Sequence, residues 1–314
     1  MTRDLCNQIL VGVIGINHKS APLAVREQVA KIASLRAFPG KVVLSTCNRT
    51  EIYFAQDDFA DLKKELNFSS YTFFGVDCFS HLACVTAGLD SALLGETAIQ
   101  AQVKRSYEAA RSKSVLSSHL HYLFQKSLKL AKDARSCFPL FQSKNHLESL
   151  VFKLMDSFLE ENPSLLFIGF SEVNRNIIRY LARRKKCRMT VLTRSLSHAC
   201  QGTFDDCVIL KGREELLNAH LYEGIISATT AQEYLLLSLS SPFCTKLILD
   251  LSTPRTIDPR LAKTLPLLNM QQMGELFAKM HPSHEAEVAK VKNFIDSSVL
   301  AYADRLERKS LLCI

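Results

Sequence analysis

The densest chemistry in this chain lies between two apolar stretches, where Ser45-Thr46-Cys47-Asn48-Arg49-Thr50-Glu51 brings together a thiol, hydrogen-bonding neighbours and a guanidinium. A loop between strands can expose a thiol, and a nearby cation such as Arg49 favours thiolate and can pair with a carboxylate substrate. Cys47 is therefore a candidate nucleophile. The competing reading is a buried turn cysteine beside a solvated arginine, and residue chemistry alone leaves both open. A thiol mechanism needs a proton donor or acceptor that works near neutrality. His81 is the candidate for that role, against the plainer reading of a structural histidine on a helix. Beyond it, Gly88 and Gly95 bracket a segment carrying Asp90 and Ser91, with Glu96 just after. That segment is either the wall of a polar pocket or two helix ends.

A second constellation follows an apolar strand at residues 164–168. The turn reads Gly169-Phe170-Ser171-Glu172-Val173-Asn174. A dinucleotide site calls for G-x-G-x-x-G at such a place. Here Ser171 and Asn174 stand at the second and third glycine positions, so the turn alone is a weak signal. The end of the next strand adds Thr193-Arg194-Ser195. No acidic residue stands there to hold a ribose 2′-hydroxyl. An arginine between two hydroxyls suits a 2′-phosphate, hence NADP rather than NAD. A surface-loop arginine is the alternative.

Composition sets the frame. The formal net charge of +8 favours an anionic partner such as tRNA, a nucleotide or a phosphorylated substrate without choosing among them. Lys126, Lys129, Lys132 and Arg135 wind around one helix, a candidate phosphate-backbone strip set against a solvated face as the default. The cluster of Arg183, Arg184, Lys185, Lys186 and Arg188 is explained by favourable charge at a helix C-terminus. The 10 cysteines are scattered and form no C-x-x-C, so no zinc site and no disulfide framework is expected; most should be small buried hydrophobes. The strongest apolar run, residues 9–16, is far short of the ~20 residues of a membrane helix. With no signal-peptide pattern at the start, the expectation is a cytoplasmic protein that contacts no membrane.

The elements that must position these residues follow from periodicity. Residues 8–16, 41–45 and 51–55 read as strands. A helix over 23–34 carries Val25, Val29 and Ile32 on one face, and a polar helix follows near 59–66. This pattern suggests a small α+β sandwich. Residues 78–138 read as mostly helical, and 146–161 as a further helix. Strands at 164–168, 189–193, 225–228 and 246–250 then alternate with helical or loop segments such as 174–184. Such alternation argues for a doubly wound parallel sheet. Residues 285–309 form a long amphipathic helix in which Val288, Val291, Ile295, Val299, Tyr302 and Leu306 share a face. That face must pack on another domain or another copy of the chain.

Taken in order, these segments resemble the glutamyl-tRNA reductase family. The resemblance rests on residues 15–22 (GINHKSAP) with Arg26-Glu27, then Leu44 to Glu51, His81-Leu82, Gly88-Leu89-Asp90-Ser91 and Leu94-Gly95-Glu96. It continues through Gln102-Val103-Lys104, Leu123-Phe124-Gln125, Ala131-Lys132, and Asp250 to Arg255 with Ile257-Asp258-Pro259. It implies an α/β multidomain chain. An N-terminal α+β catalytic domain (1–145) would recognise glutamyl-tRNA(Glu). A Rossmann-type domain (146–265) would bind NADPH. A long C-terminal spinal helix would lead to a short dimerisation region (266–314). It further implies NADPH-dependent reduction of glutamyl-tRNA(Glu) to glutamate-1-semialdehyde with release of tRNA. That is the first step of tetrapyrrole synthesis by the five-carbon route. Cys47 would form a thioester and His81 would aid proton transfer. Thr46, Asn48, Arg49, Ser91, Glu96, Thr97, Ala98 and Gln102 match substrate-pocket positions, with Arg49 the partner for the substrate's side-chain carboxylate. The implied partners are the tRNA, a second copy of the chain and an aminotransferase that receives the aldehyde.

Three departures qualify this. Thr97-Ala98 stands where the family has Pro-Gln, which puts the pocket contact at Ala98 in question. The turn is G-F-S rather than G-x-G. Residues 267–314 are fewer than the family's full helical dimerisation domain, so a reduced dimer contact and a monomer both stay open. Two other functions compete: a non-catalytic tRNA-binding or regulatory relative with weakened cofactor binding, which the altered turn favours, and an unrelated NADP dehydrogenase, which leaves the Cys47 segment unexplained.

Overall fold

A run of apolar residues buried on both faces starts the first sheet. Strand β1 (Val11–Asn17) is buried at all seven positions. Its side chains alternate between two cores, as the period of a strand requires. Val11 and Val13 enter one core, and Ile14 enters the other with Ile52, Phe54 and Leu62. A computed structural model of the chain describes residues 9–46, 48–65, 70–91, 94–96, 98–141, 146–184, 186–194, 208–280 and 284–311. These residues fall into two compact units, 1–144 with 278–314 and 145–277.

In the first unit, helix α1 (Leu23–Leu35) follows β1, and then come β2 (Val42–Ser45), β3 (Arg49–Ala55), α2 (Phe59–Glu65) and β4 (Tyr71–Phe74). The four strands form one sheet in the order β2-β3-β1-β4, and every pairing is antiparallel. On α1 the buried residues are Arg26 and Val29, whereas Val25, expected on the inner face, is 40% exposed. The buried Arg26 donates its Nε to Ala21 O at 3.3 Å, one of the bonds its head group needs there. Three helices follow: α3 (Gly75–Ala87), α4 (Ala98–Lys113) and α5 (Ser118–Cys137). The α5 start is capped by Ser117, whose side chain accepts from Leu120 N.

The second unit holds α6 (His146–Phe158), β5 (Ser164–Ile168), α7 (Glu172–Ala182), β6 (Arg188–Leu192), β7 (Val208–Lys211), β8 (Gly224–Ser227), β9 (Leu247–Asp250) and β10 (Leu267–Asn269). Its six strands lie in the order β10-β9-β8-β5-β6-β7, all parallel. That is the doubly wound order, with a topological switch point between β5 and β8. The chain here is thus an α/β fold with a parallel sheet, as the alternation of elements predicts. Strands β4, β7 and β10 were not expected from sequence. Helix α7 begins two residues earlier than its periodicity indicates, because Ser171 supplies an N-cap to Asn174 N.

Helix α8 (Met270–Met280) precedes the long helix α9 (His284–Leu311). In the first unit, α9 lays Val291, Ile295, Val299 and Ala303 into the core that contains Phe79, Leu82 and Leu123. The amphipathic stripe legible in the sequence is thereby covered within the chain. Among the described cysteines, Cys78 and Cys187 are buried as expected, but Cys137 and Cys244 are exposed. No helix is long and apolar enough to cross a membrane.

Candidate functional site

Strand period sets the first site. Arg49, Glu51 and Tyr53 alternate along β3 and so project from one face of the sheet. Opposite Glu51 on β1 stands Gly15. A Cβ there would lie 2.7 Å from Glu51 Cγ, so the absent side chain gives the carboxylate its room. The Glu51 carboxylate is fully buried and surrounded by donors. Arg49 Nη1 donates to it at 2.8 Å, Tyr53 OH at 2.7 Å and Tyr71 OH at 2.5 Å. His81 Nε2, reaching in from α3, lies 2.8 Å from Oε1. Burial alone would raise the Glu51 pKa, but Arg49 and His81 outweigh it and hold the group well below the usual carboxylate range.

The second Arg49 nitrogen reaches the segment after α3. Nη2 donates to Asp90 Oδ2 at 2.9 Å and also to the Asp90 backbone carbonyl. Lys19 Nζ meets the other Asp90 oxygen at 2.5 Å. Burial disfavours the Asp90 charge, yet Arg49 and Lys19 keep its pKa below the ordinary value. Arg49 is therefore not a solvated loop cation: its side chain is 1% exposed and spans two carboxylates. Burial works against its charge, and Glu51 and Asp90 more than restore it.

Cys47 lies outside the described residues, but the turn that carries it is tied on both sides. Thr46 N donates to Arg49 O at 2.8 Å, Asn48 N to Thr46 Oγ1 at 3.2 Å, and His18 N to Asn48 O at 2.9 Å. His81 sits against the rings of Tyr71 and Phe73, with centroids 5.5 and 4.9 Å away. The ionised Glu51 carboxylate can only accept, so the Nε2 that faces it carries a proton.

The loop after α3 is closed by Gly95 N donating to Gly88 O at 2.9 Å. Arg135 clamps it, donating to Ala87 O and Glu96 O at 3.0 Å and to Gly95 O at 3.1 Å. Arg135 is thus a structural member of α5 rather than part of a phosphate strip. Glu96 is pushed up by burial, against a hydrogen bond from Ser91 and the charges of Arg49 and Arg135. Gln102, on α4, keeps Oε1 buried and unpartnered among the described residues. Ala98 is the exposed first residue of α4, and Thr97 lies outside the described residues. Glu51, Asp90, Tyr71 and Lys19 were not among the candidate site residues. Glu51, Asp90 and Lys19 stand within the quoted motifs, but only the fold brings them together around Arg49.

The second site lies at the carboxyl ends of the parallel strands. A cavity of about 860 Å³ is lined by Gly169, Phe170 and Ser171 after β5, Thr193 and Arg194 after β6, and Ala228 and Thr229 after β8. This is the switch-point crevice in which open α/β sheets bind ligands. Gly169 has φ +97°, and a Cβ on it would meet Ala228 O at 2.7 Å, so only glycine lets β5 turn here. Asn174, at the third glycine position, is buried and donates Nδ2 to Ile168 O at 3.1 Å and Gly169 O at 2.8 Å. Its side chain pins the turn that glycine would leave bare. Glu172, Val173 and Asn174 belong to α7 and do not line the cavity. Ser195 lies outside the described residues. The volume, the narrow turn and the capped helix start fit a dinucleotide. Among the described residues no group of three His, Cys, Asp or Glu side chains could hold a metal ion.

Residues 14–137 match the profile of the glutamyl-tRNA(Glu) reductase N-terminal domain. The chain is 32% identical over 307 residues to a glutamyl-tRNA reductase of Chlamydia muridarum, covering 88% of this chain and 86% of the relative. To the glutamyl-tRNA reductase of Chlamydia abortus it is 31% identical over 329 residues, covering 96% and 95%. Among solved structures, glutamyl-tRNA reductase from Methanopyrus kandleri aligns with 97% of this chain and 83% of its own at TM-score 0.51. At 21% identity that likeness speaks to the fold.

Proposed function

The chain belongs to the glutamyl-tRNA reductase family, and from that premise we propose that it reduces glutamyl-tRNA(Glu) to glutamate-1-semialdehyde at the expense of NADPH, releasing tRNA, as the first step of tetrapyrrole synthesis. The observation that carries the reading at residue level is the buried Arg49–Glu51–His81–Asp90 cluster, built onto the strand that begins two residues after Cys47.

In this reading Cys47 attacks the ester carbonyl as thiolate. The ester C–O bond breaks as the C–S bond forms, and the ribose oxygen leaves as a hydroxyl with a proton from His81. The glutamyl group stays on sulfur as a thioester, whose reduction to the aldehyde breaks the C–S bond and returns the thiolate. A thioester is a better hydride acceptor than an ester, which is why the nucleophile is sulfur rather than oxygen. Glu51 holds the His81 Nε2–H, so Nδ1 takes up or returns the proton at the reacting carbonyl. Arg49 receives the substrate's side-chain carboxylate. Asp90, which pairs with Arg49, gives way to that carboxylate and stays held by Lys19. Thr46, Asn48, Ser91, Glu96, Thr97, Ala98 and Gln102 complete the pocket, with Gln102 offering a buried acceptor. Gly169, Phe170, Ser171, Thr193, Arg194 and Ser195 hold NADPH, with Glu172, Val173 and Asn174 shaping the turn; the bound nucleotide supplies hydride. The reading extends to the division into residues 1–145, 146–265 and 266–314, with α9 as the spinal helix. It also includes a homodimer, a cytoplasmic location and delivery of the aldehyde to an aminotransferase.

Single-turnover reaction of the full chain with charged tRNA and NADPH tests it. Wild type should yield the semialdehyde, and without NADPH a glutamyl adduct should be trapped on Cys47. Cys47→Ser should abolish both and leave tRNA binding intact. Folded protein that binds tRNA, binds NADPH weakly or not at all and forms no aldehyde would instead mark the non-catalytic relative.

A further inference from the structure

The sheet of the second unit brings together two arginines that are far apart in the chain. Strands β6 and β7 run parallel, with Leu192 opposite Lys211. Thr193 N continues the ladder by donating to Lys211 O at 3.1 Å. Arg194 and Arg213 each stand two residues beyond that last pair. Neighbouring strands are about 4.8 Å apart, so the two residues leave the sheet edge side by side. Both line the same cavity, and so does Glu233, the one carboxylate among the described lining residues. Arg213 Nη2 meets Glu233 Oε1 at 3.0 Å, with side chains 59% and 69% exposed. Glu214, the next acid along, lies against Gly212 instead.

We propose that Arg213 is the second cation for the ribose 2′-phosphate of NADPH, beside Arg194, and that Glu233 holds its guanidinium until the nucleotide arrives. This rests on the cofactor reading above. A phosphate dianion accepts several charge-assisted bonds and is matched by planar guanidinium forks. An exposed Arg–Glu pair is weak and screened by salt. Exchange of Glu233 for phosphate is therefore favourable, and the acid tunes the affinity rather than blocking it. A nucleotide lacking the 2′-phosphate has nothing to draw Arg213 away. Arg213 is thus assigned to discrimination between the two nucleotides.

Fluorescence titration of the full chain with NADPH and with NADH tests the assignment. Arg213→Ala should weaken NADPH binding about tenfold, the loss of one charge-assisted bond, and leave NADH binding unchanged. Arg213→Lys should recover part of the difference. Glu233→Gln should tighten NADPH binding alone. Unchanged NADH affinity also reports that each variant is folded. A wild type that prefers NADPH, with Arg213→Ala keeping the full preference or weakening both nucleotides alike, overturns the assignment alone. Unaltered or weaker NADPH binding by Glu233→Gln overturns the role of Glu233 as competitor. A wild type that binds neither nucleotide removes the cofactor reading, and this assignment with it.

Discussion

Arg49 and Glu51 stand two residues apart on β3, and that spacing puts both heads on one face of the sheet. Both heads enter the face of the sheet covered by α3, where water is excluded and unpaired charge is expensive. Asp90, Tyr53, Tyr71 and His81 supply the remaining bonds, so the cluster is nearly saturated. His18, on the turn beside it, is held in the opposite state. Burial lowers its pKa from the ordinary 6.5 to about 4, helped by Lys19, Arg49 and Arg26 and opposed by Asp90. The unfolded chain therefore takes up this proton first as pH falls. The stability from keeping His18 neutral is complete above its unfolded pKa and is lost between pH 6.5 and about 4. Allowing for partial solvent screening, the loss is about 2 kcal/mol. Urea unfolding of wild type and His18→Gln at both ends of that window measures it. The variant should lose less stability on acidification, and equal losses would refute the assignment. The sequence places Cys47, Arg49 and His81 as candidates through their chemistry. It does not show that Arg49 is already neutralised, because Asp90 comes from a different element and meets it only through the fold.

The turn between β5 and α7 shows how an element can depart from a motif and keep its geometry. Ser171 at the second glycine position caps the helix, and Asn174 at the third ties down the carbonyls of Ile168 and Gly169. Gly169 has no such substitute. Gly169→Ala would force a side chain into the left-handed region and onto Ala228 O. The expected cost is about 1–3 kcal/mol, with β5 and β8 pushed apart and NADPH binding lost. Thermal melting and nucleotide titration read the two effects separately; an unaltered melting temperature would show that the turn relaxes freely. Strand β5 is legible residue for residue, since Ser164–Ile168 is a short apolar run ended by that glycine. Strands β7 and β10 are not legible in the sequence, for the converse reason. Val208–Lys211 and Leu267–Asn269 are short and half-buried, without clean alternation, and become strands by pairing with β6 and β9. Arg213, two residues beyond β7, carries no local signal of its place at the cavity for the same reason.

Across the whole molecule, the long helix α9 returns to the first unit and packs on α3 and α5. Ile295 and Val299 are fully buried there. Ile295→Ala should cost about 2–5 kcal/mol through lost transfer energy and a residual cavity. Calorimetry of the full chain should register that cost in the unfolding of the first unit, while the second unit keeps its transition; a loss below about 1 kcal/mol would mean that α9 contributes little to this core. Alone, the sequence determines the periodic elements, the candidate nucleophile and its neighbours, the glycine turn after β5 and the parallel character of the second sheet. All of these depend on residues near one another in the chain, where spacing translates directly into a shared face. Tertiary structure decided which carboxylates meet Arg49, that Asn174 repairs the turn, that Arg194 and Arg213 share a sheet edge, and what covers α9. Those depend on strand order and helix packing, and an apolar stripe or a lone charge carries no address for its partner.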